Sequence, residues 1–168
     1  IEESDVEEAV PDYPVHLFFT QEGYFKKITP QSLRMSGEQK LKEGDKITEQ
    51  IEATNNTELL FFTNQATVYK TRANEFSDTK ASVLGDYVAA KLGMEEDEAA
   101  IYMAATKAYE GFMIFIFENG KIAKVEMNTY TTKTNRKKLV GAYSDKSPLF
   151  AMFYCKQECE ILLTTTEG

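Results

Sequence analysis

The sequence predicts an all-β fold built from propeller-like blades, and three observations support this prediction. A phrase made of an apolar run, a polar turn and a strand-like segment occurs three times, at residues 17–28, 59–71 and 113–125. Helical periodicity is weak, whereas Phe, Ile, Val, Tyr and Thr fill the apolar runs. Four-stranded units that recur at intervals of about 40–50 residues are typical of propeller-like arrays.

The turn residues set the phase of this repeat. Gly23, Ala66 and Gly120 occupy equivalent turns, and Gly168 closes a fourth phrase of the same kind, "ILLTTTEG". The intervals between them are 43, 54 and 48 residues. Asn119-Gly120 is the strongest short hairpin signal among these turns. We therefore expect each phrase to form a β-hairpin that opens a blade.

A second repeated sequence pattern lies between the hairpins. A Lys-Leu pair is followed in each repeat by a polar stretch and then by another strand-like run, "ITEQIEA", "AAIYMAAT" or "PLFAMFYC". The segment 82–92 has some helical character, but Gly85 and Gly93 interrupt it, so we expect loop and strand there. The predicted organisation is an acidic linker at 1–12 and a partial array at 13–168, with about three blades at 13–56, 57–110 and 111–157 and the start of a fourth at 158–168.

The charge is unevenly distributed along the chain. The formal net charge is −8, yet residues 1–12 alone hold six acidic groups, and residues 121–146 hold seven basic groups against two acidic ones. The body of the chain is therefore near neutral and has a basic stripe. The sequence contains no phosphate-binding glycine loop, nucleophile elbow, metal-ligand cluster or membrane-length apolar run, which argues against a small-molecule enzyme.

Three segments resemble a known family. The opening "EEAVPDYPVHLFFTQEGYFKKI" is similar to the start of the C-terminal domain of the A subunit of bacterial type IIA topoisomerases, namely DNA gyrase and topoisomerase IV. The matching residues are Pro11, Thr20, Gly23, Tyr24 and Lys26. The phrase "ELLFFTNQATVYKTRANEF" and the stretch "FENGKIAKVEMNTYTTKTNRKKLVGAYSDKSPL" resemble later blades of the same domain, so the resemblance covers nearly the whole chain.

The resemblance implies a β-pinwheel, a ring of blades whose neighbours exchange strands. It implies a bacterial domain that binds and bends duplex DNA in the cytoplasm, associated with the nucleoid and with no membrane partner. It also implies that this domain works with the B subunit and with the rest of the A subunit. The family's catalytic tyrosine follows an arginine in an upstream domain, and none of the nine tyrosines here follows an arginine. The segment is thus expected to be inactive alone and to hold no cofactor, because ATP and Mg²⁺ act in other domains of the ATP-dependent enzyme.

One segment departs from the family pattern. Gyrases carry a basic, glycine-rich box after the first strand pair, and the corresponding stretch 31–45 retains only Gln31, Arg34, Gly37 and Lys40. Such a degenerate box is more in keeping with topoisomerase IV and puts chiral wrapping of DNA in doubt. Family rings have five or six blades, so we expect this chain to form part of a ring.

The candidate DNA contacts are cations at or beside one repeated position, four residues after each turn residue. Lysines in phase around a ring could bind phosphates along a curved duplex without reading sequence. The predicted contacts are Lys26, Lys27, Arg34, Lys70, Arg72, Lys121, Lys124, Arg136, Lys137 and Lys138. No catalytic residue and no metal site is predicted.

Other interpretations of these lysines and of the fold remain open. Lysines at strand ends also protect sheet edges and keep proteins soluble. The acidic total favours a protein-interaction propeller of another family, although the absence of Trp opposes its commonest subtype.

Overall fold

A computed structural model describes residues 11–132 and 137–156, and these residues form three antiparallel sheets, two short α-helices and two 3-10 turns. The predicted start of a fourth repeat and most of the predicted acidic linker lie outside the described residues. In chain order the elements are β1 (Pro14–Thr20), β2 (Tyr24–Ile28), α1 (Pro30–Met35), β3 (Ile47–Thr54), β4 (Glu58–Thr63), β5 (Thr67–Arg72), β6 (Asp86–Tyr87), α2 (Val88–Lys91), β7 (Ala100–Thr106), β8 (Phe112–Phe117), β9 (Ile122–Glu126), β10 (Lys138–Val140) and β11 (Leu149–Cys155). Neither described helix is long and apolar enough to cross a membrane.

Each repeated phrase forms a β-hairpin, as the sequence predicts. The hairpins pair β1 with β2, β4 with β5 and β8 with β9. Gly23, Ala66 and Gly120 all adopt a positive φ, of 91°, 54° and 89° respectively. A positive φ closes the tight turn, and glycine adopts it without steric cost. Ala66 therefore holds its turn in a less favourable backbone conformation than the two glycines do.

Each hairpin is joined by a third strand from the same repeat, which pairs with the first strand of the hairpin. β3 pairs with β1, β7 with β4 and β11 with β8, all antiparallel. These are the three strand-like runs predicted after the Lys-Leu pairs. The hydroxyl oxygen of Tyr102 in β7 accepts a hydrogen bond of 2.9 Å from the backbone N–H of Tyr154 in β11, which ties two neighbouring blades together.

The fourth strand of a sheet comes from the following repeat. β6 pairs with β2 of the first sheet, and β10 pairs with β5 of the second, so the sheet orders are β3-β1-β2-β6 and β10-β5-β4-β7. The third sheet has the order β11-β8-β9 among the described residues. The segment 82–92, predicted as loop and strand, contains β6 and the one-turn helix α2. The blades therefore exchange strands, as the resemblance implied.

The hydrophobic core lies between the blades. Leu59 and Phe61 of β4 pack against Phe19 and Phe25 of the first blade, whereas their neighbours in β4 pack against the third blade. Successive side chains of a strand point to opposite faces, so the strand of a central blade must be apolar on both. This is why "LLFF" shows no alternation and all four of its residues are fully buried.

We predict that Gly85, which directly precedes β6, cannot be replaced without loosening the exchanged strand. Its φ is +93°, and a Cβ atom there would lie 2.5 Å from the carbonyl oxygen of Phe25. Gly44 provides a matched control, since its φ is +84° but a Cβ atom added to it would meet nothing within 4 Å. Chemical denaturation should show that Gly44→Ala costs about 1–2 kcal/mol from backbone strain.

Gly85→Ala should cost more than about 3 kcal/mol, because the steric contact adds to the same strain. Equal losses for the two variants would contradict the close approach of β6 to β2.

Candidate nucleic-acid interface

The first of the predicted cations, Lys26, is an interior residue. Its side chain is 1% exposed, and its ammonium group donates hydrogen bonds to the backbone carbonyls of Lys40 at 3.0 Å and Ala81 at 2.9 Å. Burial lowers the pKa of this ammonium group from its ordinary value. Lys26 therefore connects the loop after α1 to the segment before β6, and its position does not suit contact with DNA.

Lys27 is also buried, with 2% of its surface exposed. Its Nζ donates to the amide oxygen of Asn55 at 2.6 Å and forms an ion pair of 3.2 Å with the carboxylate of Asp78. The hydroxyl of Tyr13 donates to the same carboxylate, at 2.9 Å to Oδ2. Lys27 thus holds the segment that crosses from the second repeat, and it too is withdrawn from the predicted DNA surface.

Lys70 is the equivalent residue of the second blade, and it is partly buried. Its ammonium group donates to the backbone carbonyl of Tyr130 at 2.9 Å and to the hydroxyl of Thr132 at 3.1 Å. Burial lowers the pKa of Lys70, and the negative charge of Glu58 partly opposes that shift. Its hydrogen-bonding capacity is directed at the segment crossing from the third repeat rather than at solvent.

Three more predicted cations are exposed but already lie beside carboxylates. Arg72 pairs with Glu58 at 3.2 Å, Lys137 with Glu75 at 3.4 Å, and Lys138 with Glu95 at 3.5 Å. The hydroxyl of Tyr69 and the negative charge of Glu95 raise the pKa of Lys138. A cation that already faces a carboxylate contributes less to the attraction of a polyanion.

The remaining predicted cations in the described part are Arg34, Lys121 and Lys124, which are exposed and lie in no ion pair among the described residues. Arg34 stands in the last turn of α1. Lys121 lies in the hairpin turn of the third blade, and Lys124 follows in β9, its Nζ 4.3 Å from the centre of the Phe112 ring. Arg136, the tenth predicted residue, lies outside the described residues.

Sequence reasoning passed over two exposed cations in the loop between α1 and β3. Lys42 and Lys46 both face solvent, and the Nζ of Lys42 lies 5.9 Å from the centre of the Tyr24 ring. The signal in the sequence is the run "KLKEGDK", a lysine-rich polar segment between α1 and β3. Both lie in the loop that contains Lys40, Lys42 within the stretch compared with that box and Lys46 directly after it.

The described residues offer little for covalent or metal chemistry. No group of three or more His, Cys, Asp or Glu side chains within 11–132 and 137–156 could hold a metal ion. Burial raises the pKa of Tyr102 to about 12 and also raises the pKa of Tyr109 and Tyr130. These phenols remain protonated at neutral pH and are poor nucleophiles.

Three antiparallel sheets, two of which take an outer strand from the following repeat, define the class of the fold, a β-pinwheel. Two solved structures share it. The C-terminal domain of DNA topoisomerase IV aligns with a TM-score of 0.75 and 23% identity over 88% of this chain and 47% of that one. The E. coli ParC C-terminal domain aligns with a TM-score of 0.63 and 13% identity over 86% of this chain and 57% of that one.

Sequence similarity relates the chain to the A subunit of one topoisomerase. The chain is 27% identical over 169 aligned residues to the A subunit of DNA topoisomerase 4 from Staphylococcus aureus, and the alignment covers 98% of this chain. The chain is a homologue of that protein, and the resemblance to the A subunits of type IIA topoisomerases is confirmed. It spans about a fifth of the length of the curated relatives it matches, 21% of the first. No family model matches the chain.

We predict that Lys26→Met, which keeps the length of the side chain, destabilises the fold. The variant loses two hydrogen bonds from a charged donor and leaves the carbonyls of Lys40 and Ala81 without that partner, at a cost of about 2–3 kcal/mol. Lys121→Met, at an exposed turn, should change the free energy of unfolding by less than about 0.5 kcal/mol. Urea denaturation of both variants tests this, and equal stabilities would contradict the interior position of Lys26.

Proposed function

We propose that this chain is a DNA-binding part of the A subunit of a type IIA topoisomerase and has no catalytic activity of its own. The observation that supports the proposal most is the β-pinwheel fold shared with the topoisomerase IV C-terminal domain, together with sequence similarity to a topoisomerase 4 protein along nearly the whole chain. In this proposal the chain holds and bends duplex DNA for strand passage that takes place elsewhere in the enzyme. The remainder of the A subunit, the B subunit, ATP and Mg²⁺ belong to that enzyme, which acts in the bacterial cytoplasm.

The contacts that we propose are fewer than the sequence suggested. They are five exposed cations that form no ion pair within the described part of the chain: Arg34, Lys42, Lys46, Lys121 and Lys124. Each could bind one phosphate and release a counterion, which makes the affinity dependent on salt but not on sequence. The net charge of −8 opposes a polyanion at long range, so binding should be weak at physiological salt.

Three lysines of the repeated hairpins are already bound within the protein. Lys26, Lys27 and Lys70 use their ammonium groups on backbone and side-chain oxygens of the protein. In this proposal the phased position contributes only Lys124, and the proposed surface lies on α1, the loop after it and the third hairpin. The alternative of a protein-interaction propeller gains no support from the comparisons.

We predict that the triple variant Arg34→Gln, Lys42→Gln and Lys121→Gln loses most of its affinity for duplex DNA. Fluorescence anisotropy of a labelled duplex, measured over a series of salt concentrations, would give the slope of log affinity against log salt. That slope should fall by about 0.9 for each lost phosphate contact, or about 2.7 in all.

A second triple serves as a control of identical net charge. Arg72→Gln, Lys137→Gln and Lys138→Gln removes three cations that already face carboxylates, so the slope should change by less than about 1. Equal losses in the two triples would show a non-local charge effect and contradict the proposed surface. Absence of binding by the unmodified chain at low salt would contradict the proposed function itself.

A further inference from the structure

A cleft lies at the junction between the second and third blades, and we call it the junction cleft. One wall is the turn between β4 and β5, residues 64–66, and the other comes from the segment 143–149 that leads into β11. Its volume is about 440 Å³, within the range of sites that hold a ligand. None of the five proposed DNA contacts lines it.

Both walls of the junction cleft are held in place within the protein. The backbone N–H of Ala142 donates to the carbonyl of Ala66 at 2.7 Å. The hydroxyl of Tyr143 donates to the carbonyl of Thr63 at 2.6 Å, and its ring stacks on that of Phe115 with the ring centres 5.0 Å apart. The cleft is therefore formed before a ligand arrives, which lowers the entropic cost of binding.

The junction between the first and second blades has bulkier side chains at the equivalent position. There Tyr24, the residue after the turn, pairs with Tyr87 at the end of β6, and their ring centres lie 5.2 Å apart. At the second junction the residue after the turn is Thr67, and its partner at the end of β10 is Val140. Two small side chains thus replace two aromatic rings, so the rim of the second junction is less covered.

Two large apolar side chains flank the junction cleft and face solvent. Val140 is 73% exposed, and Phe150, which follows the lining residue Leu149, is 72% exposed. Phe150 is the extra residue of a β-bulge, because the pairing with β8 passes from Leu149 to Ala151. A bulge redirects a side chain, and bulges are frequent beside functional sites. Exposed apolar side chains grouped at one place favour a protein partner.

The polar groups of the junction cleft are acceptors for a cation. Asp145 is the charged residue that lines it, and its exposed carboxylate forms no ion pair within the described part of the chain. On the other wall, the amide nitrogen of Gln65 donates to Oδ1 of Asp97 at 2.8 Å, so the amide oxygen is what Gln65 can offer a ligand. Lys146 follows Asp145 but does not line the cleft. Such a site attracts a cation and repels a phosphate.

We propose that the junction cleft binds an extended segment of a partner protein that carries an arginine with an apolar residue two positions before it and another two positions after it. The guanidinium group pairs with the carboxylate of Asp145 and donates to the amide oxygen of Gln65. Alternate side chains of an extended segment face the same way, so the two apolar residues cover Val140 and Phe150. Arginine suits the site better than lysine, because its rigid fork of donors can bind two acceptors at once.

A second copy of this chain is a poorer occupant. Its exposed Arg34 stands beside Met35, which is 78% exposed, but both belong to the helix α1. The residues two positions before and after Arg34 are Ser32 and Ser36, which offer no apolar surface to Val140 and Phe150.

A synthetic peptide tests the junction cleft directly. The probe is acetyl-Gly-Leu-Ser-Arg-Ser-Leu-Gly-amide, added up to millimolar concentration to the ¹⁵N-labelled chain while amide shifts are followed by NMR. We expect saturable shifts at Ala66, Asp145 and Phe150. A probe with glutamine in place of arginine should not bind, and one with lysine should bind more weakly.

Matched variants separate the cleft from the rest of the surface. Asp145→Asn should weaken binding of the probe about tenfold, whereas Glu96→Gln, which removes an exposed carboxylate outside the cleft, should leave it unchanged. Phe150→Ser should weaken binding about fivefold, whereas Met35→Ser, at an equally exposed apolar residue on α1, should not. All four side chains are exposed, so the variants should fold.

The proposal is overturned if no saturable shifts appear at the cleft, or if Asp145→Asn binds the probe as the unmodified chain does. A concentration-dependent dimer that is weakened by both Arg34→Gln and Asp145→Asn would place a second copy in the cleft and also overturn it. Asp145 and Phe150 are not among the proposed DNA contacts, so failure of this test and failure of the proposed function are distinguishable.

Discussion

The fold depends on how a strand from one repeat is held against the blade before it. Exchanged strands β6 and β10 are only two and three residues long, too short for their ladder hydrogen bonds alone to secure them. Buried ammonium groups supply the missing attachment, because a charged donor forms stronger hydrogen bonds than a neutral one. Lys26 and Lys27 bind the segment arriving at the first blade, and Lys70 binds the segment arriving at the second.

This constraint explains the distribution of charge between interior and surface. A buried ammonium group is tolerated only where oxygen atoms satisfy it, and the crossing segments provide those atoms. The cations used in this way are lost to any polyanion outside. In the proposed function, exposed cations on α1, the following loop and the third hairpin contact DNA, on a chain whose net charge is −8. Such a surface suits weak, sequence-independent holding of a duplex better than tight wrapping.

The sequence predicted the blades well because their signals are local. The turn residues Gly23, Ala66 and Gly120 and the alternation of apolar runs with polar turns depend on neighbours only a few residues away. The surroundings of the candidate cations were harder to predict, because the contacts of a lysine depend on distant segments. Nothing near Lys27 in the chain indicates that Asp78 will lie 3.2 Å from its Nζ. The phase of Lys27 and Lys70 coincides with the repeated strand exchange, in which both ammonium groups contact the arriving segment.

Native-state hydrogen exchange of two amides tests the attachment of the exchanged segments most directly. The N–H groups of Thr79 and Lys70 each donate across a junction between repeats, to Lys27 and Lys137 respectively. If these junctions hold the blades together, both amides should exchange only through global unfolding, with protection that falls with denaturant as steeply as that of β4. Exchange as fast as that of the exposed loop amide of Gly44 would contradict the account.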